Sequence, residues 1–589
     1  MPPRDLLRAE ILTETELPRA TDLLEDGRKL AALHGFQANP FLAEQGASSE
    51  REVKHRWSAE GRIMRHAQIG FRDPAKTQRA WAEIYERCAA KGVAVDRYGI
   101  CLDWSMGYPA AERGKRPRGT GIIFEEAEDL AKITAAAPVA PHFGDFVLGF
   151  PGAVENTALA LAAGATTIGN LGQYFTFRLP GWDNDVATTR ATVTALGLIA
   201  AQDTDILVHS NLDDGFAAHF SDLACCLGAV LIERQIVKGL IGVNTSHCYG
   251  HHFSNPVTRL AFQKALYDIG ETDGSMIYGN TTSYLGSPAE NYASLAGYLR
   301  IDIEGLKRWP TGHAINPVPV TENERIPDIA EVVDAQLFSA RLEEIVEQAR
   351  CLTTPEEAAE ISAQLVTGAR QFKDAVFKGL AAAGIDTGDA FELLLSLKRI
   401  GARRLEALFG PGQIEETAPR TPVIASPVIE ELAENCGIIL SGIDKVSAAN
   451  LSRRRLRVLT ATTDVHEHGK QLIDRLLRNL GVEVVDGGIS VDPHQIAALA
   501  LEEDCNAIAL STYNGVALSY ARDLLKELKT QKLDLPVLIG GRLNQIPDQS
   551  NSSLPVDVTA KLSGLGLIVC EKADDVVGGL LEATDSNST

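Results

Sequence analysis

"RLRVLTATTDVHEHGKQLIDRLLRNLG", residues 455–481, carries a strand, a loop and a helix in one short stretch. The apolar run "LRVLTA" has the length of a buried strand, and the residues after Gly469 repeat with helical spacing. Between them stand Asp464, His466, His468 and Gly469. Taken alone, they read as a polar turn in which Asp464 helps to cap the helix. The remaining strands of the C-terminal segment change that reading. "VEVVDGG", "CNAIALST", "LPVLIGG" and "LGLIVCE" are further apolar runs, separated by helices such as "ALSYARDLLKELKTQ". Five strands alternating with helices predict a doubly wound α/β sheet, whose ligands bind beyond the carboxyl ends of the strands. The opening loop comes directly after the first strand and therefore lies on that edge.

The same alternation governs the chain upstream. From about residue 60 to 335, eight apolar runs are spaced as βα units: "RIMRHAQIGF", "RYGICLDW", "PVAPHFGDFVL", "ATTIGN", "DILVHSN", "LIGVNTS", "SMIYGNTTSY" and "HAINPVPVT". Eight such units predict a closed (β/α)8 TIM barrel with its reactive groups at the C-terminal strand ends. Those ends supply Asp103, His142, Asn170, His209, Asn211, Asn244, Ser246, His247, Asn280, Thr281 and Asn316. The expected plan is an N-terminal helical segment (1–60), a TIM-barrel catalytic domain (61–335), a helical region with a Pro-rich linker (336–452) and a flavodoxin-like doubly wound domain (453–581). "FGPGQIEETAPRTPVIASPVIEEL" reads as an exposed connector, and the ending "EATDSNST" as a frayed tail.

Composition limits the partners. Of 589 residues, 45% are hydrophobic and 23% charged, the balance of an ordinary globular protein. Lys and Arg number 56 against 78 Asp and Glu, and the net charge of -22 opposes attraction to nucleic acid or anionic lipid. No stretch approaches the roughly 20 apolar residues that span a bilayer, and the start lacks the apolar centre of a signal peptide. A cytoplasmic enzyme acting on a small molecule is expected, with no nucleic acid or membrane partner. The nine cysteines are scattered and read as reduced core thiols.

Three loops line up on the ligand edge of the last domain. Asp464-x-His466-x-x-Gly469 comes after the first strand, Ser511-Thr512-Tyr513 ends the third, and Gly540-Gly541 ends the fourth. Residues 470 to 510 place 41 positions between the first two loops, and 514 to 539 place 26 between the second and third. This resembles the cobalamin-binding pattern DxHxxG, SxL, GG, with both spacings kept and Tyr513 standing where the family usually has Leu. The resemblance implies that His466 replaces the cofactor's own dimethylbenzimidazole beneath cobalt, with Asp464 as its partner. An imidazole suits a first-row transition metal, and a carboxylate on its other nitrogen fixes the tautomer. The displaced nucleotide tail would then be bonded by Ser511 and approached closely by Gly469, Gly540 and Gly541, where a Cβ would collide. His468 has no role in the motif and reads as a loop histidine.

Over roughly residues 95 to 335 the barrel resembles that of glutamate mutase, an adenosylcobalamin-dependent carbon-skeleton isomerase. The likeness rests on "AGATTIGNLGQYFTFRLPG", "GVNTSHCYG" and "TENERIP". It implies that Glu322 contacts the adenosyl ribose. The grip on substrate differs: where that family has a glutamate, this chain has Leu171, and its Arg-His-Gly element has no counterpart. Tyr174, Arg178 and His142 are candidate replacements, and Asn280, Thr281, Asn244 and His247 are expected to orient substrate. The function expected is therefore an adenosylcobalamin-dependent radical isomerase, a carbon-skeleton mutase, acting on a small organic acid or acyl substrate. By analogy with such enzymes a homodimer is expected. Two alternatives stand beside it. A corrinoid-dependent methyltransferase would also use a histidine-ligated cofactor and a barrel. "SHCYGHH", with His247, Cys248, His251 and His252, offers zinc ligands for a hydrolase or lyase.

Overall fold

The computed structural model describes residues 6–585 except 101, 117, 120, 125, 214, 252, 285, 323–324, 350–354, 415–419, 465, 514 and 547–555. Two compact units form. The first comprises Met1–Pro117, Gly121–Thr176 and Asn184–Val428, and the second Arg118–Thr120, Phe177–Asp183 and Ile429–Thr589.

The first unit is the barrel. Its strands are β1 (Met64–Ile69), β2 (Arg97–Ile100), β3 (Ala140–Phe143), β4 (Thr167–Ile168), β5 (Leu207–Asn211), β6 (Thr245–Cys248), β7 (Met276–Ile277) and β8 (Ala314–Ile315). All pair in parallel, in the order β6-β5-β4-β3-β2-β1-β8-β7. Between β6 and β7 the ring is completed by Ser275 N–H donating to the His247 carbonyl at 2.8 Å and Tyr278 N–H to that of Tyr249 at 2.6 Å. Several of the intervening helices begin on a polar cap with proline next in the chain: Asp73-Pro74, Asn255-Pro256 and Ser287-Pro288. The cap accepts from an otherwise unpaired N–H, and proline at the first helical position gives up none that the helix needs.

Several expected boundaries move. β6 starts at Thr245, because Gln235–Ile241 continues the preceding helix with wider, π-type turns. A domain edge at 335 would cut the helix Ile329–Ala349, which belongs to the barrel: Gln336 Nε2 donates to the His66 carbonyl at 2.7 Å. The helices Glu356–Ala382, Ala390–Ile400 and Ala402–Phe409 share the barrel's apolar cluster, with the Phe372 ring 5.3 Å from that of Phe220. They form no separate layer. The segment read as an exposed connector is tied down where it is described: Val423 and Ile424 N–H donate to Asp222, and Ser426 N–H to the Ser221 carbonyl.

The N-terminal helices also belong to this unit. Ala20–Ala31 lies so close to the helix Asp185–Ala200 that a Cβ on Gly27 would stand 2.4 Å from the Thr194 carbonyl oxygen. Glu50–Ala59 closes the N-terminal end of the barrel with two buried charges. Lys54 Nζ donates to the Gly274 and Gly312 carbonyls at 2.8 Å each, and Glu50 meets Arg97 Nε at 3.0 Å. Burial would push the Glu50 carboxyl up, but Arg97, Lys54 and the hydroxyls of Thr166 and Thr167 outweigh it and hold the pKa down to about 2.

The second unit is the doubly wound sheet: β9 (Arg457–Thr462), β10 (Glu483–Gly488), β11 (Ala507–Thr512), β12 (Val537–Gly541) and, after a small hairpin of β13 (Asn544–Gln545) and β14 (Val556–Asp557), β15 (Ile568–Cys570). The order is β10-β9-β11-β12-β15, all parallel. Alternate strand residues feed two cores. Leu459, Ile508, Leu510 and Ile539 pack on one face, and Val458, Ala507, Ala509 and Leu538 on the other. That is the period-two pattern of strands covered on both sides. Cys436 and Leu451, from the helices Pro427–Gly442 and Lys445–Arg454, join the second of these cores, so the unit starts near 429 and not at 453. Among the described residues no helix is long and apolar enough to cross a membrane.

Candidate functional site

At the carboxyl edge of the second sheet the three loops predicted from sequence come together. Strand pairing sets them side by side: Ser511 lies opposite Thr462 and Gly540, and Thr512 opposite Gly541. Asp464 is buried at the end of β9 and gathers the loops through its carboxylate. Oδ1 accepts from His466 Nδ1 at 2.7 Å and from the His466 backbone N–H at 3.1 Å. Oδ2 accepts from Tyr513 N–H at 2.7 Å and from Thr463 Oγ1 at 3.2 Å. Because a carboxylate only accepts, Nδ1 carries the imidazole proton and Nε2 presents a lone pair. The ring is 44% exposed, which leaves it accessible to a large ligand. Thr512 is buried with its hydroxyl 2.8 Å from Thr463 Oγ1, so it joins two loops and does not face a ligand. Tyr513 lies beside His466, with ring centroids 4.4 Å apart and planes inclined by 33°.

Next to these loops is a cavity of about 210 Å³, lined by Gly469, Leu472, Ile473, Ser511, Gly540, Gly541 and neighbouring residues. The glycines keep it open. A Cβ on Gly469 would stand 2.6 Å from Ser511 Oγ, and one on Gly540 would stand 3.1 Å from the Cys570 carbonyl oxygen. Gly541 has φ +102°, and a Cβ there would meet the Thr512 carbonyl oxygen at 2.3 Å. A proton-fixed imidazole beside a glycine-walled slot fits a corrin whose nucleotide tail leaves the metal. His468 is exposed and opens the helix His468–Asn479.

The barrel places its candidates unevenly. His142, on β3, is buried inside the barrel beside His66 and His209, at ring distances of 5.5 and 4.5 Å. Arg97 Nη2 donates to His142 Nδ1 at 2.8 Å. A guanidinium can only donate, so His142 carries its proton on Nε2, and that buried N–H has no protein acceptor among the described residues. Burial and the Arg97 charge drive its pKa well below the ordinary histidine range. His209 is placed by the same network: Ser275 Oγ accepts from Arg97 at 3.0 Å and stands 3.0 Å from His209 Nδ1. Asn280 is buried where the chain leaves β7, and its carbonyl accepts from Ser283 Oγ at 2.8 Å. Glu322 is half-buried in the turn after β8, where its charge adds to burial in raising the Tyr284 phenol.

Four of the barrel expectations need correction. Asn244 stands before the first residue of β6, not at its end, and its amide donates to Asp205 at 3.0 Å. His247 lies on the helix-facing side of β6, where Glu233 Oε2 holds Nε2 at 3.0 Å and Glu271 Oε2 is 3.6 Å from Nδ1. Its register partner Ser210 bonds the same Glu233, which confirms the side. Strand alternation, which sends adjacent residues to opposite faces, puts Ser246 inward in its place. Tyr174 is fully buried, with its hydroxyl 2.7 Å from Thr189 Oγ1 on a neighbouring helix. Arg178 belongs to the second unit, where Asp183 and Asp492 occupy its guanidinium. The zinc alternative loses its geometry as well, since His247 is held by carboxylates and His251 Nδ1 lies 3.1 Å from Thr281 Oγ1. His252 lies outside the described residues, and among those described no cluster of metal-ligating side chains forms. Sequence reading missed Arg97, which opens β2, Ser275, just before β7, and His66, inside β1; none lies at the strand ends where reactive groups were sought. Their available signal was charge and histidine inside strands otherwise too apolar for either.

Residues 454–559 match the family model of the B12 binding domain. The chain is 26% identical over 243 residues to ethylmalonyl-CoA mutase from Methylorubrum extorquens, covering 41% of this chain and 31% of that one. It is 29% identical over 102 residues to the 2-hydroxyisobutanoyl-CoA mutase small subunit from Aquincola tertiaricarbonis, covering 17% of this chain and 73% of the subunit. Among solved structures, a cobalamin-binding protein from Desulfitobacterium hafniense DCB-2 is 25% identical, covering 26% of this chain and 70% of its own, with a TM-score of 0.20. The chain thus spans less than a third of the length of the ethylmalonyl-CoA mutase it matches. The protein is an eight-stranded barrel fused to a C-terminal B12-binding domain.

Proposed function

We propose that the protein is an adenosylcobalamin-dependent radical isomerase, a carbon-skeleton mutase acting on a small organic acid or acyl substrate held in the barrel. The observation that carries the reading is the Asp464–His466 pair beside its glycine-walled slot, in a chain whose other unit is a TIM barrel. The names of the two mutases it resembles support isomerisation and make acyl thioesters the first substrates to try.

The chain's own residues divide the work. His466 Nε2 would hold the cofactor's cobalt, and Asp464 keeps the proton on Nδ1 and would make Nε2 the better ligand. Ser511 bonds the nucleotide tail, and Gly469, Gly540 and Gly541 leave room for it. Adenosylcobalamin held there would supply the radical chemistry, which the protein's side chains do not provide. In the barrel, His142 Nε2–H offers a hydrogen bond to a substrate oxygen, Asn280 orients the same molecule, and Glu322 anchors the adenosyl ribose. The buried, protein-fixed interior would keep water away from a reactive intermediate.

The test is reconstitution of the full chain with adenosylcobalamin, then addition of candidate acids and acyl thioesters under electron paramagnetic resonance. The expected result is a signal from cob(II)alamin coupled to an organic radical, appearing only with the right substrate. Turnover with methylcobalamin and no radical under any condition would instead make the protein a methyltransferase.

A further inference from the structure

The third residue of the Ser-x-Leu segment is Tyr513 in this chain, and its position gives it work that a leucine cannot do. Three contacts fix it. Its N–H donates to Asp464 Oδ2 at 2.7 Å, the carboxylate whose other oxygen holds His466 Nδ1. Its ring stacks on the His466 imidazole at 4.4 Å and 33°. The Arg542 guanidinium lies 4.8 Å from the centroid of the same ring. The sheet sets up this last contact, because Thr512 pairs with Gly541 and Arg542 N–H donates to the Thr512 carbonyl at 2.8 Å, so the residues just past both strands emerge together.

The hydrogen bond to Asp464 fixes one nitrogen of His466 but leaves the ring able to swing about that bond. A flat neighbour on one face removes the remaining freedom. We infer that Tyr513 is a positioning residue for the axial ligand: with Arg542 bearing on it, its ring sets the plane in which His466 Nε2 is presented to a corrin. The imidazole is then held ready before the cofactor arrives, which lowers the conformational entropy lost on binding. A leucine side chain has volume but no flat face and no quadrupole to attract Arg542. This inference rests on the ligation by His466 proposed above.

The test uses the full chain reconstituted with cob(II)alamin whose own benzimidazole nitrogens carry the heavy isotope. Ligation by unlabelled imidazole splits the cobalt resonance lines into triplets, and ligation by the labelled base splits them into doublets. The wild type and Tyr513→Phe are expected to give sharp triplets. Tyr513→Leu is expected to give broadened triplets with a doublet component and about five-fold weaker corrin binding, the size of one aromatic contact. Tyr513 is 38% exposed, so its truncation leaves the cores of the domain intact. A Tyr513→Leu spectrum and affinity equal to the wild type, or a Tyr513→Phe variant as impaired as Tyr513→Leu, would overturn the inference. A doublet in the wild type would overturn the ligation reading and this inference with it, whereas a wild-type triplet with an indifferent Tyr513→Leu overturns only the latter.

Discussion

Asp464 is the residue on which most of the cofactor edge depends, because one carboxylate serves the proton of His466, the backbone of His466 and the backbone of Tyr513. Asp464→Asn puts an amide N–H where one of those donors points. Corrin affinity is expected to fall about 10- to 100-fold, the range for partners of ligating histidines, read by spectrophotometric titration. His247 makes the opposite case, a charged histidine whose role is structural. Burial opposes its charge, but the Glu233 hydrogen bond and the Glu271 carboxylate outweigh that and push its pKa up to about 9. Since the folded pKa lies above the unfolded value, the stabilisation is complete below about pH 6.5 and is lost as pH rises through about 9. Thermal denaturation between those limits should show a loss of about 3 kcal/mol, absent in His247→Asn, which starts from a lower stability. Neither the side of β6 that His247 occupies nor the strand register behind it was legible in "GVNTSHCYG", because a one-residue shift in a four-residue strand exchanges inside for outside.

Among the elements, the pairing of β11 with β12 does most to build the site, since it brings Ser511 and Thr512 opposite the two glycines. Gly541→Ala forces a side chain into φ +102° and against the Thr512 carbonyl, so urea unfolding of the second unit should report a loss of about 1–3 kcal/mol. Gly540→Ala has ordinary φ and a contact of 3.1 Å, and is expected to cost less stability while narrowing the slot. An equal loss for both variants would show that conformation is not the deciding cost. The five strands of this sheet were legible because each is a short apolar run between helices with strong periodicity. The helices before it were harder to assign. Pro427–Gly442 and Lys445–Arg454 come after a proline-rich stretch that reads as linker, and only Cys436 and Leu451 inside the sheet's core reveal where they belong.

For the whole molecule, two units with separate cores predict two calorimetric transitions. Cobalamin at about 100 times its dissociation constant should stabilise the second unit by roughly 2.7 kcal/mol and leave the barrel transition where it was. Equal displacement of both transitions would show that the units unfold together. The sequence alone determined that the chain holds eight βα repeats and then a five-stranded doubly wound domain, and it singled out the three loops that meet at one edge of that sheet. These are local facts, carried by hydrophobic period and by fixed spacings within a contiguous motif. Tertiary structure alone decided which polar residues of the barrel face inward, what occupies Tyr174, Arg178 and His247, and that Tyr513 lies against His466. Those depend on strand register and on contacts between residues tens to hundreds of positions apart, which no local pattern encodes.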